Sequence, residues 1–207
     1  MLQVLPAGFG RLLSRMRPGI NALLFAGVNV PAVIEVTSPA FVQGGVIPAL
    51  YTADGPGLSP PIAWRGVPED AASLLLVVED ADSPTPRPLV HAIVTGLSVQ
   101  GQGLAAGDLL ARPGLELGRN SYFRTGWLPP DPPPGHGPHR YAFQFFALRR
   151  RPEGLGKNPG RGAVRAALGQ GVVAKGCLIG TYARPATRSF GPLSRGYRGR
   201  SGGAPPR

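Results

Sequence analysis

Turn-forming residues interrupt the chain along most of its length, and this feature restricts the elements that it can form. The sequence contains 31 glycines and 25 prolines among 207 residues, and these residues favour turns and end helices and strands. Between them lie short apolar runs of strand length, and only Arg161–Ala174 has the pattern of a helix. The predicted strands are Val33–Val36, Ser73–Glu79, Val90–Thr95, Tyr141–Leu148 and Leu178–Tyr182. Many short strands and few helices predict an all-β sandwich with peripheral helices.

One predicted strand is apolar on both of its faces. The run Tyr141–Leu148 therefore predicts a central strand that is covered on both sides. Runs of this kind also argue against a disordered chain, despite the high content of glycine and proline. No apolar stretch reaches the roughly 18 to 20 residues that a membrane span needs. The composition thus excludes a coiled coil, a collagen and an integral membrane protein.

The net charge of +11 is concentrated at the two ends of the chain. Residues 1–34 hold three arginines and residues 185–207 hold five, and neither segment has an acidic residue. Residues 35–184 hold 14 basic and 11 acidic residues. We therefore expect the arginine-rich ends to bind polyanions weakly and without sequence specificity, whereas the charge says little about the central part.

The sequence divides into three regions. Residues 1–34 are predicted to form an N-terminal extension that is partly helical, 35–184 the folded domain, and 185–207 a disordered tail rich in arginine and glycine. Cys177 is the only cysteine, which excludes an internal disulfide and a cysteine-based zinc site. We expect a cytoplasmic protein. Secretion is the minority alternative, because no clean cleavage site follows the apolar stretch 20–26.

Three polar clusters are candidates for chemistry. The first, Glu79–Pro84, places acidic residues where an apolar strand ends, and its simplest interpretation is a turn. The second is His91, alone in the apolar run Leu89–Val94, where a histidine is more often a satisfied core residue than a ligand. The third is the proline-rich segment 129–141, whose prolines restrict the backbone and which places His139 at the start of a predicted buried strand. Each cluster alone is weak support for a site.

The clusters belong to a longer series of ordered motifs that spans residues 35–184. These motifs are Thr37–Phe41, Tyr51–Gly55, Leu58–Trp64, Gly66–Pro68, Val78–Pro84, His91, Gly118–Ser121, Gly135–Tyr141 and Gly180–Arg184. In this order they resemble the phosphatidylethanolamine-binding protein family, and most closely its bacterial Raf-kinase-inhibitor-like (YbhB/YbcL-like) branch. So many motifs in one order make chance similarity implausible.

The resemblance implies two antiparallel sheets with a small pocket at one end that binds phosphate-like anions and phospho-headgroups. The residues that it assigns to the pocket are Asp80, His91, His139 and Tyr141, with Pro84 and Pro130 at the rim. Asp82 and Arg140 look like structural partners of each other. A protonated histidine donates from both ring nitrogens. Two histidines beside one carboxylate would therefore hold a phosphate monoester, and binding should strengthen below about pH 6.5.

The sequence departs from the family pattern around this pocket. Ala81 stands where the acidic turn usually has its first proline, and Ala92 follows the strand histidine where tryptophan is common. Pro129–Asp131 stands where relatives have Gly-Pro and a small residue or cysteine. This change would remove a backbone donor and add a negative charge, so it puts the affinity for anions in question.

The resemblance favours a binding protein over an enzyme. Its partner would be a small phospho-anion or a phospholipid headgroup, with no cofactor and with a homodimer as a further expectation. The name of the Raf-kinase-inhibitor-like branch implies that the protein would also modulate a partner protein, although no residue in this sequence identifies a kinase. The alternative is a hydrolase or metal-dependent enzyme that uses Asp80, His91 and His139. No nucleophile is evident for it, since Ser83 has no assignable base and Cys177 lies in an apolar run.

Overall fold

The structure is a computed structural model, and it describes residues 12–13 and 15–185. The predicted tail lies outside the described residues except for Pro185, as do residues 1–11 of the predicted N-terminal extension. Within the described ranges, no helix combines the length and the apolar character that crossing a membrane requires.

The described residues form eight strands in two sheets. The strands are β1 (Glu35–Thr37), β2 (Ile62–Arg65), β3 (Ser73–Asp80), β4 (Leu89–Leu97), β5 (Gly103–Leu104), β6 (Glu116–Leu117), β7 (His139–Leu148) and β8 (Val172–Tyr182). One sheet has the strand order β1-β2-β5 and the other the order β6-β4-β3-β7-β8, and all neighbours pair antiparallel. The fully described helices are α1 (Asp108–Ala111), α2 (Arg161–Leu168) and the short 3-10 helices Ile20–Ala22, Leu24–Gly27 and Ala49–Tyr51. The all-β prediction with two antiparallel sheets and a few peripheral helices is confirmed.

The predictions from the sequence place the five long strands correctly but extend one helix too far. All five predicted strands overlap observed ones, namely β1, β3, β4, β7 and β8. The predicted helix Arg161–Ala174 is wrong beyond Leu168, because Gly169 ends α2 and β8 already begins at Val172. Gly171 between them has a φ of +117°, which a residue with a side chain rarely adopts.

The central strand is covered on both faces, as its sequence predicts. Every residue of β7 except Arg140 is buried, and β3 and β8 flank the strand in its sheet. On the inner face, the Phe145 ring packs against Trp64 of the small sheet, with ring centroids 5.0 Å apart. On the outer face, Phe146 joins an apolar cluster with Val164 and Leu168 of α2. This double burial fixes the strand ends that carry the site.

The segment before β1 lies against the outer face of the five-stranded sheet. The N–H of Gly19 donates to the carbonyl of Ala81 at 2.8 Å, and the N–H of Leu24 donates to the carboxylate of Glu79 at 3.0 Å. The Lys175 ammonium on β8 donates to the carbonyls of Phe25 and Val28. Residues 19–28 are therefore tied to both β3 and β8.

Candidate functional site

Three strand ends meet at one end of the five-stranded sheet. β3 ends at Asp80, which lies opposite Leu89 at the start of β4 and opposite Tyr141 near the start of β7. His91 and His139 each lie two residues from one of these partners, and residues two apart on a strand share a face. The strand pairing therefore brings the carboxylate, the two histidines and the tyrosine to one place.

A small cavity opens at this place. Its volume is about 30 Å³, which is room for a group of only a few atoms. The residues that line it are Asp80, Ser83, Pro84, Leu89, His91, Tyr122, Leu128, Pro129, Asp131, Pro133 and His139. Of the residues expected at the pocket, Asp80, Pro84, His91 and His139 are part of this lining.

The other two expected residues, Tyr141 and Pro130, are not part of this lining. The Tyr141 ring contacts the rings of His91 and His139, with centroids 5.1 and 6.4 Å away. Pro130 is buried, and its carbonyl accepts a hydrogen bond from the N–H of Ala53 at 2.9 Å. The proline side chains that reach the cavity from this loop are instead those of Pro129 and Pro133.

His91 presents an unused ring nitrogen. Its Nδ1 lies 2.6 Å from the carbonyl of Leu128, and because a carbonyl only accepts, Nδ1 carries the proton. Its Nε2 is buried and has no hydrogen-bond partner among the described residues. Burial lowers the pKa of His91 below its ordinary value, so this ring is neutral at neutral pH and Nε2 holds a lone pair.

Tyr141 carries a second buried polar atom without a partner in the described chain, its hydroxyl. Burial raises the pKa of Tyr141 well above the ordinary value of 10.0. The phenol therefore keeps its proton and remains a donor. Two unpaired polar atoms in so small a region are unusual, because an unmade buried hydrogen bond is costly.

A continuous hydrogen-bonded chain starts from the other side of Asp80. The Asp80 Oδ2 lies 2.7 Å from the Nδ1 of His139, and the Nε2 of His139 lies 2.7 Å from the Nδ1 of His136. The Nε2 of His136 then lies 2.8 Å from the carbonyl of Leu13. The chain thus runs from the cavity to the N-terminal segment.

Acceptor groups fix part of the proton order in this series of hydrogen bonds. The carbonyl of Leu13 requires the His136 proton on Nε2, so the Nδ1 of His136 accepts from the Nε2 of His139. One further proton lies between the Nδ1 of His139 and the Asp80 carboxyl group. Both ring nitrogens of His139 are therefore engaged inside the protein.

Arg17 holds the same loop from the N-terminal side. Its guanidinium donates to the carbonyls of His136 and Pro138 and lies 3.3 Å from the carboxylate of Asp82. Arg140 pairs with the same carboxylate through two hydrogen bonds of 2.7 Å, which confirms the expected partnership. Burial alone would raise the pKa of Asp82, but the hydrogen bonds from Arg140 outweigh it and hold the pKa below its ordinary value.

Asp131 lines the cavity without being an isolated charge. Its carboxylate accepts a hydrogen bond from Arg184, which also donates to Asp54 at 2.6 Å. Asp131 stands where relatives in the family have a small residue or cysteine, and its negative charge is therefore paired with Arg184. One guanidinium nitrogen of Arg184, Nη2, is buried and has no partner among the described residues.

A sequence model described as phosphatidylethanolamine-binding protein matches residues 37–183, which is well over half of the chain. The chain belongs to the phosphatidylethanolamine-binding protein family. A UPF0098 protein from Aquifex aeolicus is 36% identical over 168 residues, covering 80% of this chain and 96% of that protein.

Two solved structures of the phosphatidylethanolamine-binding protein family resemble this fold. One is a homologue from Chlamydia trachomatis with 33% identity and a TM-score of 0.67, covering 73% of this chain and 98% of the other. The second is YbcL from E. coli, described as a member of the mammalian PEBP family, with 25% identity and a TM-score of 0.68. That alignment covers 73% of this chain and 99% of YbcL.

Sequence reasoning about this family member missed His136. The histidine lies three residues before His139 in a loop rich in glycine and proline, and it is buried. The spacing of the two histidines was a visible signal, but the partner of His136 is a carbonyl more than a hundred residues away in the sequence. No local pattern reports such a contact.

The side chains named for an enzymatic alternative have other contacts in this PEBP-family structure. The Ser83 hydroxyl lies 2.7 Å from the hydroxyl of Thr85, rather than against a histidine. Burial raises the pKa of the Cys177 thiol to about 12, which keeps it protonated and a weak nucleophile. In the described ranges, no group of three histidine, cysteine or acidic side chains is arranged to hold a metal ion.

Proposed function

We propose that this protein of the phosphatidylethanolamine-binding protein family binds a small phospho-anion in the cavity at the strand ends. The observation that carries the proposal is the Nε2 of His91, a buried polar atom without a partner among the described residues, on a ring that lines the cavity. A bound phosphate oxygen would satisfy this nitrogen. The ligand class is phosphate or a phospho-headgroup.

His91 is the histidine that would contact the anion. The sequence expectation shared this task between two histidines, but both nitrogens of His139 are already engaged with Asp80 and His136. The direct hydrogen bond is therefore assigned to His91 alone.

The size of the cavity limits what enters it. A volume of about 30 Å³ leaves room for part of a phosphate group and is far too small for the acyl chains of a phospholipid. Pro84, Pro129 and Pro133 line the cavity, and their rings restrict rearrangement of the backbone. The remainder of a headgroup would stay outside the cavity.

Binding should be stronger at low pH. A phosphate oxygen and the neutral Nε2 of His91 are both acceptors, so their hydrogen bond needs one additional proton. The proton comes from solution onto His91, whose pKa burial has lowered, or from a phosphate monoanion, whose second pKa is about 6. Either route makes the affinity fall as the pH rises.

Histidine NMR tests the proposal directly. The imidazole signals of His91, His136 and His139 would be followed while phosphoethanolamine is added, and ethanolamine without phosphate serves as the matched control ligand. We expect a saturable shift that is largest at His91 and absent with ethanolamine. The variant His91→Asn keeps a donor for the Leu128 carbonyl and removes Nε2, so it should lose binding. Unshifted His91 signals at millimolar phosphoethanolamine would contradict the proposal.

A further inference from the structure

A second and larger cavity opens where the N-terminal segment and α2 cover the outer face of the five-stranded sheet. It is lined by residues from 21–30 and from 161–172, and we name it the α2 cleft. Its volume is about 600 Å³, within the roughly 300 to 1,000 Å³ of pockets that hold small molecules. It shares no lining residue with the cavity at the strand ends, so a ligand bound here would be a separate one.

Part of the lining of the α2 cleft is apolar. Leu24 of the N-terminal segment and Leu168 of α2 are buried in one apolar cluster, and Val28 and Val172 pack against that cluster. All four residues also line the cleft. The cleft therefore offers an apolar surface to the body of a ligand.

Arg165 brings a positive charge to the α2 cleft. It lies four residues after Arg161, so both side chains emerge on one side of α2, and both line the cleft. Arg161 is committed to the buried Glu79 carboxylate and to the carbonyl of Ala22. Arg165 is exposed, and in the part of the chain that the structure describes it has no hydrogen-bond or ion-pair partner. Its guanidinium is therefore available to an anion.

The N-terminal segment adds hydrogen-bond donors to the α2 cleft. Asn29 and Val30 line the cleft, and their backbone N–H groups make no hydrogen bond to any described residue. The side-chain amides of Asn21 and Asn29, which also line it, have no partner among these residues either. The segment therefore supplies several donors that a bound acceptor would satisfy.

Negative charge is absent from the described residues that line the α2 cleft. Glu79, which binds Arg161 below the cleft, is fully buried and compensated by that arginine. The C-terminal end of a helix carries a partial negative charge, but the carbonyls of Ala166 and Ala167 at the end of α2 already accept hydrogen bonds. The polar part of the lining therefore favours an anion.

We propose that the α2 cleft binds a small organic carboxylate with an apolar body. The carboxylate would accept two parallel hydrogen bonds from the Arg165 guanidinium, and the N–H groups of Asn29 and Val30 would be further donors. The apolar body would lie on the apolar part of the lining. One available guanidinium balances the single charge of a carboxylate, whereas a phosphate dianion would keep a charge unpaired. Residues 185–207 are excluded as the occupant, because they hold five arginines and no acidic residue.

Calorimetric titration of the full chain with 2-naphthoate tests the proposal. Two matched ligands each lack one of the required features, since 2-naphthalenemethanol has no charge and acetate has no apolar body. We expect 2-naphthoate to bind, and each control ligand to bind about tenfold more weakly or less well still. Equal binding of 2-naphthoate and 2-naphthalenemethanol would overturn the proposal, because the carboxylate would then contribute nothing.

Variants of Arg165 test its role in this binding. Arg165→Gln should lower the affinity for 2-naphthoate about tenfold, and Arg165→Lys, which keeps the charge but not the planar pair of donors, should lie between. Arg150→Gln is the control, because this exposed arginine follows β7 and does not line the cleft. Thermal unfolding establishes that each variant is folded. An unchanged affinity in Arg165→Gln, or an equal loss in Arg150→Gln, would refute the assignment.

NMR separates this proposal from the proposed function, on which it does not rest. 2-Naphthoate should shift the backbone amide signals of Asn29 and Val30 and leave the imidazole signals of His91 unchanged, because His91 does not line the cleft. Shifts confined to His91 would place 2-naphthoate in the cavity at the strand ends and overturn the proposal. If 2-naphthyl phosphate shifts Asn29 and Val30 and 2-naphthoate does not, the cleft recognises phosphate and the assignment of a carboxylate is wrong.

Discussion

The three histidines of this chain lie within one site and differ in what each can do. His91 donates to Leu128 and leaves Nε2 free, whereas His139 and His136 use both of their nitrogens inside the protein. The difference comes from backbone carbonyls and one carboxylate, since these groups only accept and so fix where each proton lies. A histidine at the cavity is therefore not automatically a donor to the ligand.

Nitrogen NMR of the imidazoles provides a prediction for these assignments. In the free protein at neutral pH, we expect a proton on Nε2 of His139, on Nδ1 of His91 and on Nε2 of His136. The physical reason is that the carbonyls of Leu13 and Leu128 only accept, which leaves Nδ1 of His136 as the acceptor for His139. An unprotonated Nε2 on His139 or on His136 would show that these hydrogen bonds are broken in solution.

Asp131 provides a second prediction at this scale. Its carboxylate lines the cavity, so Asp131→Asn should raise the affinity for phosphoethanolamine by about threefold to tenfold, because a nearby like charge is removed. Asp108→Asn is the control, since this carboxylate is paired with Arg112 and does not line the cavity. Calorimetric titration of both variants measures the change, and a weaker affinity in Asp131→Asn would mean that the carboxylate positions the site.

The residues of the site were only partly predictable from the sequence. The family motifs brought Asp80, Pro84, His91 and His139 to the same cavity, because strand register places them together. They could not assign the protons, since the deciding carbonyls of Leu128 and Leu13 come from distant segments. They also could not show that Arg184 pairs with Asp131, which removes much of the expected repulsion.

At the scale of elements, one buried carboxylate connects three parts of the fold. Glu79 on β3 is fully buried, and it accepts hydrogen bonds from the Leu24 N–H, the Gln144 side chain and Arg161 of α2. A buried charge persists only where partners compensate it. This carboxylate therefore holds the N-terminal segment and α2 against the outer face of the sheet.

Glu79→Gln should lower the free energy of unfolding by about 3 to 5 kcal/mol, because it leaves the partly buried Arg161 guanidinium without its ion-pair partner. The control is Glu35→Gln, which breaks the exposed pair between Glu35 and Arg65 and should cost about 1 kcal/mol or less. Urea unfolding of both variants makes the comparison. Equal losses would indicate that Glu79 is not a structural anchor.

Close packing against β8 gives a further prediction. A Cβ at Gly176 would lie 2.1 Å from the carbonyl oxygen of Ile34, so Gly176→Ala should destabilise the fold by about 1 to 3 kcal/mol through overpacking. Gly162 in α2 has nothing within 4 Å of such a Cβ. Gly162→Ala should instead stabilise by about 1 kcal/mol, the difference in helix propensity. Opposite signs in thermal unfolding are the expected result, and a stable Gly176→Ala variant would contradict the packing argument.

The long elements were predictable and the short ones were not. β3 and β7 are continuous apolar runs, so their burial pattern was present in the sequence itself. β5 and β6 have two residues each, and they exist because neighbouring strands supply their hydrogen bonds. The predicted helix extends into β8, because the alternating burial of Val172–Tyr182 depends on the neighbouring strand and cannot be recognised from the sequence of this segment alone.

At the scale of the whole molecule, the buried ionisable groups make stability depend on pH in two steps. Burial lowers the pKa of His91 and His136, so the unfolded chain binds more protons than the folded one just below the ordinary histidine value of 6.5. Hydrogen bonds from arginines, acting against burial, lower the pKa of Asp82 and Asp54. These two carboxylates stabilise the fold above pH 3.8, and their contribution is lost as the pH falls through their folded values.

We therefore expect the free energy of unfolding to decrease as the pH falls below about 6.5 and to decrease again below about 3.8. In His91→Asn the first decrease should be smaller, because one of the two histidines with a lowered pKa is removed. Urea unfolding across this pH range measures both steps. A stability that stays constant from neutral pH to pH 5 would contradict the assignment of a buried, neutral His91.

Under the proposed function, an anion bound in the cavity contacts His91, and the hydrogen bond between them requires one additional proton. Calorimetric titration with sulfate tests this most directly, because sulfate carries no proton of its own near neutral pH and the proton must be taken up by the protein. Measured in two buffers of different ionisation enthalpy, binding should be accompanied by uptake of close to one proton, should weaken as the pH rises, and should be lost in His91→Asn. Sulfate binding without proton uptake, or with the same affinity in His91→Asn, would show that His91 does not bind the anion.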